Sequence, residues 1–467
     1  MRTLLVATNR ELSPYPVAPI GVLSIAGAAR AAGHEVEFLD MNTALFPKLA
    51  LRSALSKNNF QAVAFGIRNL DNCWYFQPRS YFEEVNSFAA VVREHFSGPF
   101  ILGGTGFSVS PAGWMNGLKA DAGVLGEGEH TFVELLSRIE KKLPCDDLPG
   151  IVTAGKATAP PSMAIPQMGE LPPPAHDLCR YPRYLRGGGF VGVQTKRGCP
   201  FQCSYCIYPQ LEGQRYRLRP PAAVVEEVEK VHRQAKVRHF FFVDSVFNDP
   251  PKHALAVCRE LARRRLPVRW NAFCNPRGFD REMAQAMAAA GCSGVEFGLD
   301  VASDKMLQSL AKPFGQKEIR VALQAAYDAK LPFANFMLFG GPGETWKDIE
   351  DSQKFLKDCA PANAVFAVVG IRVFENTPLA TTAVADGQIA PDQDLFPPAY
   401  YLSSAMAEDT EPKLDRIARR DESWTSPVDW RRLVTRYGQK VTVALNVRPQ
   451  WKHLRKYGRY ARKQEKI

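Results

Sequence analysis

The stretch Thr195-Lys196-Arg197-Gly198-Cys199-Pro200-Phe201-Gln202-Cys203-Ser204-Tyr205-Cys206 sets three cysteines at i, i+4 and i+7, directly after an apolar segment, Phe190–Thr195, that reads as a strand. Three thiolates on one loop can converge on a soft metal centre. A structural zinc site takes four protein ligands, and no nearby Cys or His pair completes one. Three ligands leave a metal position open, which is what catalysis needs, and a [4Fe–4S] cluster with one unligated iron fits the donor set. The competing account is three unrelated buried thiols. The other seven cysteines, Cys73, Cys145, Cys179, Cys258, Cys274, Cys292 and Cys359, are scattered, and small buried thiols account for most of them. Ten cysteines without a secretion signal argue against a disulfide scaffold.

Downstream of the loop, apolar segments alternate with helical patterns. Candidate strands are His239–Val243, Arg269–Phe273, Gly294–Gly298, Phe333–Phe339 and Ala364–Arg372, separated by helical stretches such as Pro221–Gln234, Asp280–Ala290 and Gln316–Ala329. With Phe190–Thr195 these make six strand–helix units, an open (β/α)6 barrel with its chemistry at the carboxyl ends of the strands. Upstream, residues 146–187 form a linker broken by Pro160-Pro161, Pro166 and Pro172-Pro173-Pro174. Before it, residues 1–145 alternate again: strands at Thr3–Ala7, Val36–Leu39, Ala62–Ile67, Phe100–Leu102 and Gly123–Leu125, with amphipathic stretches such as Ile20–Ala32 and Tyr81–Glu94 between them. Five strands in this pattern suit a doubly wound, flavodoxin-like sheet whose ligand sits beyond the carboxyl ends. Glycine-rich turns stand there, Gly103-Gly104-Thr105-Gly106 and Gly126-Glu127-Gly128-Glu129. The fold class is therefore α/β throughout: a doubly wound domain (1–145), the linker, a partial barrel (188–385) and a less regular carboxyl-terminal region (386–467).

Length and composition agree. At 467 residues and 46% hydrophobic the chain can build large cores. Met1–Ala7 reads as a first strand rather than a signal peptide, and no apolar run approaches a membrane span, so a cytoplasmic protein is expected. The net charge of +11 is local: from Arg431 to Ile467 twelve Lys or Arg face one acid, Glu465, and the remaining chain balances to zero. The body thus carries no nucleic-acid footprint. The tail interleaves its cations with Trp451, Tyr457 and Tyr460 and holds the mainly apolar run Val441–Val447. It suits a solvated helix, a peripheral contact with an anionic membrane, or a weak nucleic-acid patch.

The spacing CxxxCxxC, with Tyr205 before the last cysteine, resembles the cluster loop of the radical S-adenosylmethionine (SAM) superfamily. The resemblance implies that Cys199, Cys203 and Cys206 ligate a [4Fe–4S] cluster. It implies that the open iron chelates SAM for reductive cleavage to a 5′-deoxyadenosyl radical, and that Tyr205 packs near the adenine. Asp244, in Phe241-Phe242-Val243-Asp244-Ser245, matches a position that binds the ribose or amino group of SAM, with a simple N-cap as the alternative. Glu296 and Ser303 resemble the fourth-strand polar positions. Gly340-Gly341-Pro342-Gly343-Glu344-Thr345 resembles the turn after the fifth strand, or is a plain strand-to-helix turn. Arg372 resembles the residue that meets the carboxylate or ribose of SAM, or forms a salt bridge.

The amino-terminal unit resembles the cobalamin-binding domain of class B members of that superfamily. The segment Ala18-Pro19-Ile20-Gly21-Val22-Leu23 and the two glycine turns carry the resemblance, which implies contacts to cobalamin from Gly104, Gly106, Gly126 and Glu127. The Asp-x-His-x-x-Gly motif of other cobalamin domains is missing, and His34 and His130 are not placed to ligate cobalt, so base-off cobalamin without a His ligand is implied. Arg68, in Phe65-Gly66-Ile67-Arg68-Asn69, resembles an arginine that faces the lower side of cobalt in a tryptophan-methylating member; a salt bridge with Asp71 or another acid is the alternative. The resemblance spans roughly residues 1–405, including Phe396-Pro397-Pro398-Ala399-Tyr400-Tyr401-Leu402. It implies methyl transfer to an unactivated carbon with cobalamin, SAM and the cluster as cofactors, and an external reductant such as flavodoxin or ferredoxin. Small-molecule, lipid and peptide substrates all remain open. A radical rearrangement, cyclisation or oxidation is the alternative reaction, and a non-catalytic binding protein the alternative class.

Overall fold

Two sheets, the first mainly and the second wholly parallel, account for the two alternating stretches. The computed structural model describes residues 1–57, 59–154, 167–431 and 448–453. The first sheet runs in the order Glu35–Asp40, Arg2–Ala7, Ala62–Gly66, Phe100–Gly103, Ala122–Val124, Ile151–Thr153. Its first five strands have the flavodoxin-type order 2-1-3-4-5. Leu4, Leu5 and Val6 form a continuous apolar run because this central strand is covered on both faces. Helices Pro47–Lys57 and Phe82–His95 pack on one side, Ile20–Ala31 and Glu129–Lys141 on the other.

The sixth strand corrects the sequence reading. Ile151–Thr153 pairs antiparallel with Ala122–Val124, inside the stretch read as linker. Of the linker prolines, Pro160, Pro161 and Pro166 lie outside the described residues. Pro173 packs so tightly on helix Ile20–Ala31 that a Cβ on Gly27 would come within 2.2 Å of its carbonyl oxygen. The linker therefore lies along the first domain here.

The second sheet is wholly parallel and runs in chain order: Val191–Val193, His239–Phe242, Arg269–Cys274, Cys292–Asp300, Phe333–Phe339, Ala364–Val369, Trp424–Thr425. The expected six strands are present, and the two-residue Trp424–Thr425 adds a seventh beside Ala364–Val369. Period-two alternation divides the faces. Trp270, Ala272, Cys274, Val295, Phe297 and Leu299 enter the core beneath the helices, leaving Phe273, Glu296 and Gly298 to the inner face of the open barrel. The sixth strand stops at Val369, short of the expected Arg372. Gly370 turns left-handed (φ 83°), where a Cβ would sit 2.5 Å from Cγ of Tyr75. Ile371–Arg372 then pairs antiparallel with Tyr400–Tyr401.

The carboxyl-terminal region contributes a further correction. Val441–Val447, Tyr457 and Tyr460 lie outside the described residues. Trp451, read as an interfacial aromatic, is 6% exposed and packs with Ala334, Ala364 and Phe366 inside the barrel. A local pattern of cations and aromatics cannot reveal that a segment returns to a core. No helix among the described residues is long and apolar enough to cross a membrane.

Candidate active site at the carboxyl ends of the two sheets

The cluster loop is held by backbone bonds from several directions. Cys199 N–H donates to Gly213 O at 3.0 Å, Ser204 N–H to Leu310 O at 3.0 Å, and Leu379 N–H to Ser204 O at 2.9 Å. Lys196–Arg197 forms a short antiparallel ribbon with Arg217–Leu218. Gly198 is obligatory: its φ is 89°, and a Cβ would lie 2.1 Å from Arg215 O. All three thiols are free, Cys199 buried and the others half-buried. Burial pushes all three thiols up, Cys206 to about 12; Asp300 and Cys199 add to the rise at Cys203, and Cys203 and Cys199 to that at Cys206. The loop's three soft thiolates are the donor set that a four-iron cluster takes, one thiolate to each of three irons.

Tyr205 is fixed by its hydroxyl, which donates to Asp300 Oδ2. Lys312 Nζ donates to the same oxygen at 2.5 Å and to the Tyr205 hydroxyl at 3.4 Å. Burial opposes the Lys312 charge, but Asp300 and the neighbouring Cys203 hold its pKa above the usual value. Lys312 in turn pulls the Cys203 and Cys206 thiols down. Neither Asp300 nor Lys312 stood out in the sequence. The one structural sign is Asp300's left-handed φ of 64° at the end of its strand, a strained place for a non-glycine residue.

Ion pairs press the two domains together at this loop. Arg197 meets Glu129 through two bonds of 2.5 and 3.1 Å, and Arg217 meets Glu127 through two bonds of 2.5 Å. Burial works against the Glu129 charge, but Arg197 outweighs it and keeps that carboxyl below its usual range. Glu127, expected to touch cobalamin, is thus a docking residue. Gly126 is left-handed (φ 64°) and donates its N–H to Ser108 Oγ at 2.9 Å, shaping the same turn.

Two expected SAM ligands are engaged by protein. Asp244, 2% exposed, accepts from Thr195 N–H (2.7 Å), Thr195 Oγ1–H (2.5 Å) and Lys196 Nζ (3.1 Å). It ties the first two barrel strands together under the cysteine loop. Arg372, 5% exposed, donates to Asp71 Oδ2 (2.8 Å), Val373 O (2.5 Å), Ala399 O (3.3 Å) and Leu395 O (2.7 Å). That network joins the barrel to the first domain and commits most of the guanidinium's N–H donors to protein. Ser303 caps helix Asp304–Ser309, accepting from Met306 N–H at 3.3 Å. In the turn after the fifth strand, Glu344 accepts from Gly340 and Gly341 N–H at 2.6 and 3.0 Å, and burial raises its carboxyl to about 8.

Arg68 behaves differently. With Asp71 committed to Arg372, Arg68 has no ion pair among the described residues. Its side chain is exposed, yet desolvation lowers its pKa, and Tyr208, Tyr15, Tyr81 and Tyr184 lie within electrostatic reach of it. A cation that water reaches but protein walls in lies in a cleft. Gly104 and Gly106 back this segment: a Cβ on Gly104 would meet Ile67 O at 2.5 Å, and one on Gly106 would meet Asn69 C at 2.6 Å. Their observed role is to let the Arg68 loop pack. Tyr15, from the first domain, links the cleft to the barrel, since burial and the charge of Glu296 raise its hydroxyl while Arg68 lowers it. Glu296 is 3% exposed and is raised by burial to about 7, with Trp451 Nε1–H donating to Oε1 at 2.9 Å.

Comparison with known proteins agrees with this geometry. Residues 193–356 match the Radical SAM superfamily and residues 9–136 the B12 binding domain. The chain therefore carries a radical SAM domain behind a B12-binding domain. It is 30% identical over 263 residues to an uncharacterized methyltransferase of Pyrococcus horikoshii, covering 55% of this chain and 57% of that one. It is 26% identical over 416 residues to tryptophan 2-C-methyltransferase of Streptomyces laurentii, covering 75% and 69%. In fold it is similar end to end to the radical SAM methyltransferase TsrM of Kitasatospora setae, solved with cobalamin and a [4Fe–4S] cluster: TM-score 0.84, 22% identity, 100% of both chains.

Proposed function

We propose that this chain transfers a methyl group to an unactivated carbon, with a [4Fe–4S] cluster, SAM and cobalamin as cofactors and a small molecule as substrate. The observation that supports it most is the pairing of Arg197 and Arg217, which flank the cysteine loop, with Glu129 and Glu127 of the first domain. It puts a three-thiol metal loop and a walled, cationic cleft on one working face. When bound, the cluster and SAM supply a route to a substrate radical and the corrinoid carries the methyl group.

The chain's own residues bind and orient. Cys199, Cys203 and Cys206 would hold the cluster, which would leave one iron open to SAM. Tyr205, locked by Asp300 and Lys312, walls the cluster side, and the Lys312 cation offsets the thiolate charge, one of the levers on cluster potential. Arg68 places a positive charge in the cleft; such a charge disfavours further positive charge on whatever metal occupies it. Gly104, Gly106 and Gly126 shape the turns behind that cleft. Electrons come from an external donor of the flavodoxin or ferredoxin type.

The test is anaerobic reconstitution with iron, sulfide and hydroxocobalamin, then desalting and incubation with methyl-deuterated SAM and reductant. Transfer of label to the retained corrinoid, read by mass spectrometry, is expected. Retention of a cluster with no corrinoid would overturn the methyl-transfer reading.

A further inference from the structure

We propose that the loop and helix after strand Glu35–Asp40 form a contact surface for an anionic membrane, with Leu45, Phe46 and Leu49 entering the lipid and Lys48 and Arg52 meeting its headgroups. This goes beyond the reaction proposed above and does not depend on it.

The apolar part of the surface stands out from the rest of the molecule. Leu45 is 83% exposed, Phe46 65% and Leu49 63%, three large apolar side chains within five positions. No other stretch of five among the described residues exposes more than one. Single exposed leucines are ordinary, whereas a contiguous group marks an interaction site. Helix Pro47–Lys57 shows that the core does not need these side chains. Leu51 and Leu55, 0% and 8% exposed, take its inward face and fill the core of the first domain. Leu49 lies on the opposite face, left over once that core is complete. Leu12, 61% exposed, extends the group from the loop after the first strand, where Asn42 Nδ2 donates to Glu11 O at 3.4 Å.

Charge decides the occupant. Helix Pro47–Lys57 carries Lys48, Arg52 and Lys57, all exposed, and no acid. A second basic helix borders the loop: Arg183, of Tyr181–Arg186, donates to Thr43 O, and Arg186 beside it is exposed. Glu11, the acid next to Leu12, accepts from the Tyr81 hydroxyl at 2.9 Å and pairs with Arg79. Apolar tips among cations match an anionic bilayer, where the tips enter the acyl boundary and the cations meet phosphate. A second copy of the chain fits badly, since a two-fold contact would set one basic patch against another. An acidic electron donor fits badly as well. The surface lies at the edge strand Glu35–Asp40, four strand spacings, or ~19 Å, across the sheet from Ala122–Val124, which leads into the turn that docks on the cysteine loop.

The test uses the full chain, reconstituted anaerobically with iron, sulfide and hydroxocobalamin, and flotation with two kinds of vesicle: phosphatidylcholine alone, and phosphatidylcholine with about a third phosphatidylglycerol. The wild type should partition onto the anionic vesicles roughly tenfold more strongly than onto the neutral ones, and come off them at about 0.5 M salt. Leu45→Ser, Phe46→Ser and Leu49→Ser combined should cut that partitioning roughly tenfold at low salt and leave the unfolding midpoint unchanged, since none of the three is in the core. Lys48→Gln with Arg52→Gln should lower it by a similar factor, roughly tenfold, and flatten its salt dependence. Equal binding to both vesicles, or none to either, would overturn the proposal. So would full binding by the triple serine variant, which would move lipid contact to the basic tail. A wild-type dimer, or a complex with flavodoxin, that the triple variant abolishes while vesicles stay unbound would overturn it in favour of a protein partner.

Discussion

Charged residues at the docking face and charged residues in the cleft and barrel look alike in the sequence and differ entirely in company. Glu127, Glu129, Asp244 and Arg372 sit in the motifs that resemble cofactor sites, and each is fully engaged by protein. Arg68 and Glu296 have no ion pair among the described residues. A buried charge with a bidentate partner builds architecture; a desolvated charge left single awaits a ligand. The first group aligns the domains, and the second is left without a counter-charge.

The contrast can be broken at several points. The largest effect belongs to the metal loop: replacing Cys199, Cys203 and Cys206 by alanine together should abolish bound iron and the brown absorbance of the anaerobic protein. Full iron retention would refute the cluster assignment. Next come the docking charges. Arg372→Ala leaves Asp71 buried and unpaired, and Arg197→Ala does the same to Glu129, each at a cost of about 3–5 kcal/mol, read as a lowered unfolding midpoint. If either variant melts with the wild type, the pairs are not structural.

Glu296 gives a smaller, pH-dependent effect. Its folded pKa near 7 stands above the unfolded value of ~4.3. The fold therefore favours the protonated form: this stability is present in full below pH ~4 and is lost as pH rises through about 7. Glu344, raised to about 8, acts in the same direction. Glu296→Gln should flatten the loss of stability between pH 5 and 8 by at most ~3 kcal/mol, measured by denaturant unfolding at the two pH values. An unchanged slope would show that Glu296 is not desolvated. The smallest stability effect is expected at Arg68: Arg68→Ala should shift stability by no more than ~0.5 kcal/mol, while altering the visible spectrum of bound corrinoid. A large loss of stability would mean that Arg68 has a structural partner after all.

The architecture was legible because periodicity is local. Continuous apolar runs such as Leu4–Val6 and alternation such as Arg269–Cys274 identified the main strands of both sheets. Ile151–Thr153 and Trp424–Thr425 were missed because three and two residues hold no period. Partners were illegible for another reason. Arg217 pairs with Glu127 across 90 positions, and Arg372 with Asp71 across 301. Family resemblance marks such residues as important without saying whether a ligand or another domain holds them. Trp451 is the sharpest case, since its basic surroundings pointed outward while its indole lies on Glu296.

The most direct measurement is the iron and corrinoid content of one anaerobically reconstituted, desalted sample. The account predicts about four irons and one corrinoid per chain, with iron lost and corrinoid kept in the triple cysteine variant. A protein that keeps its iron in that variant, or retains no corrinoid as wild type, would contradict it.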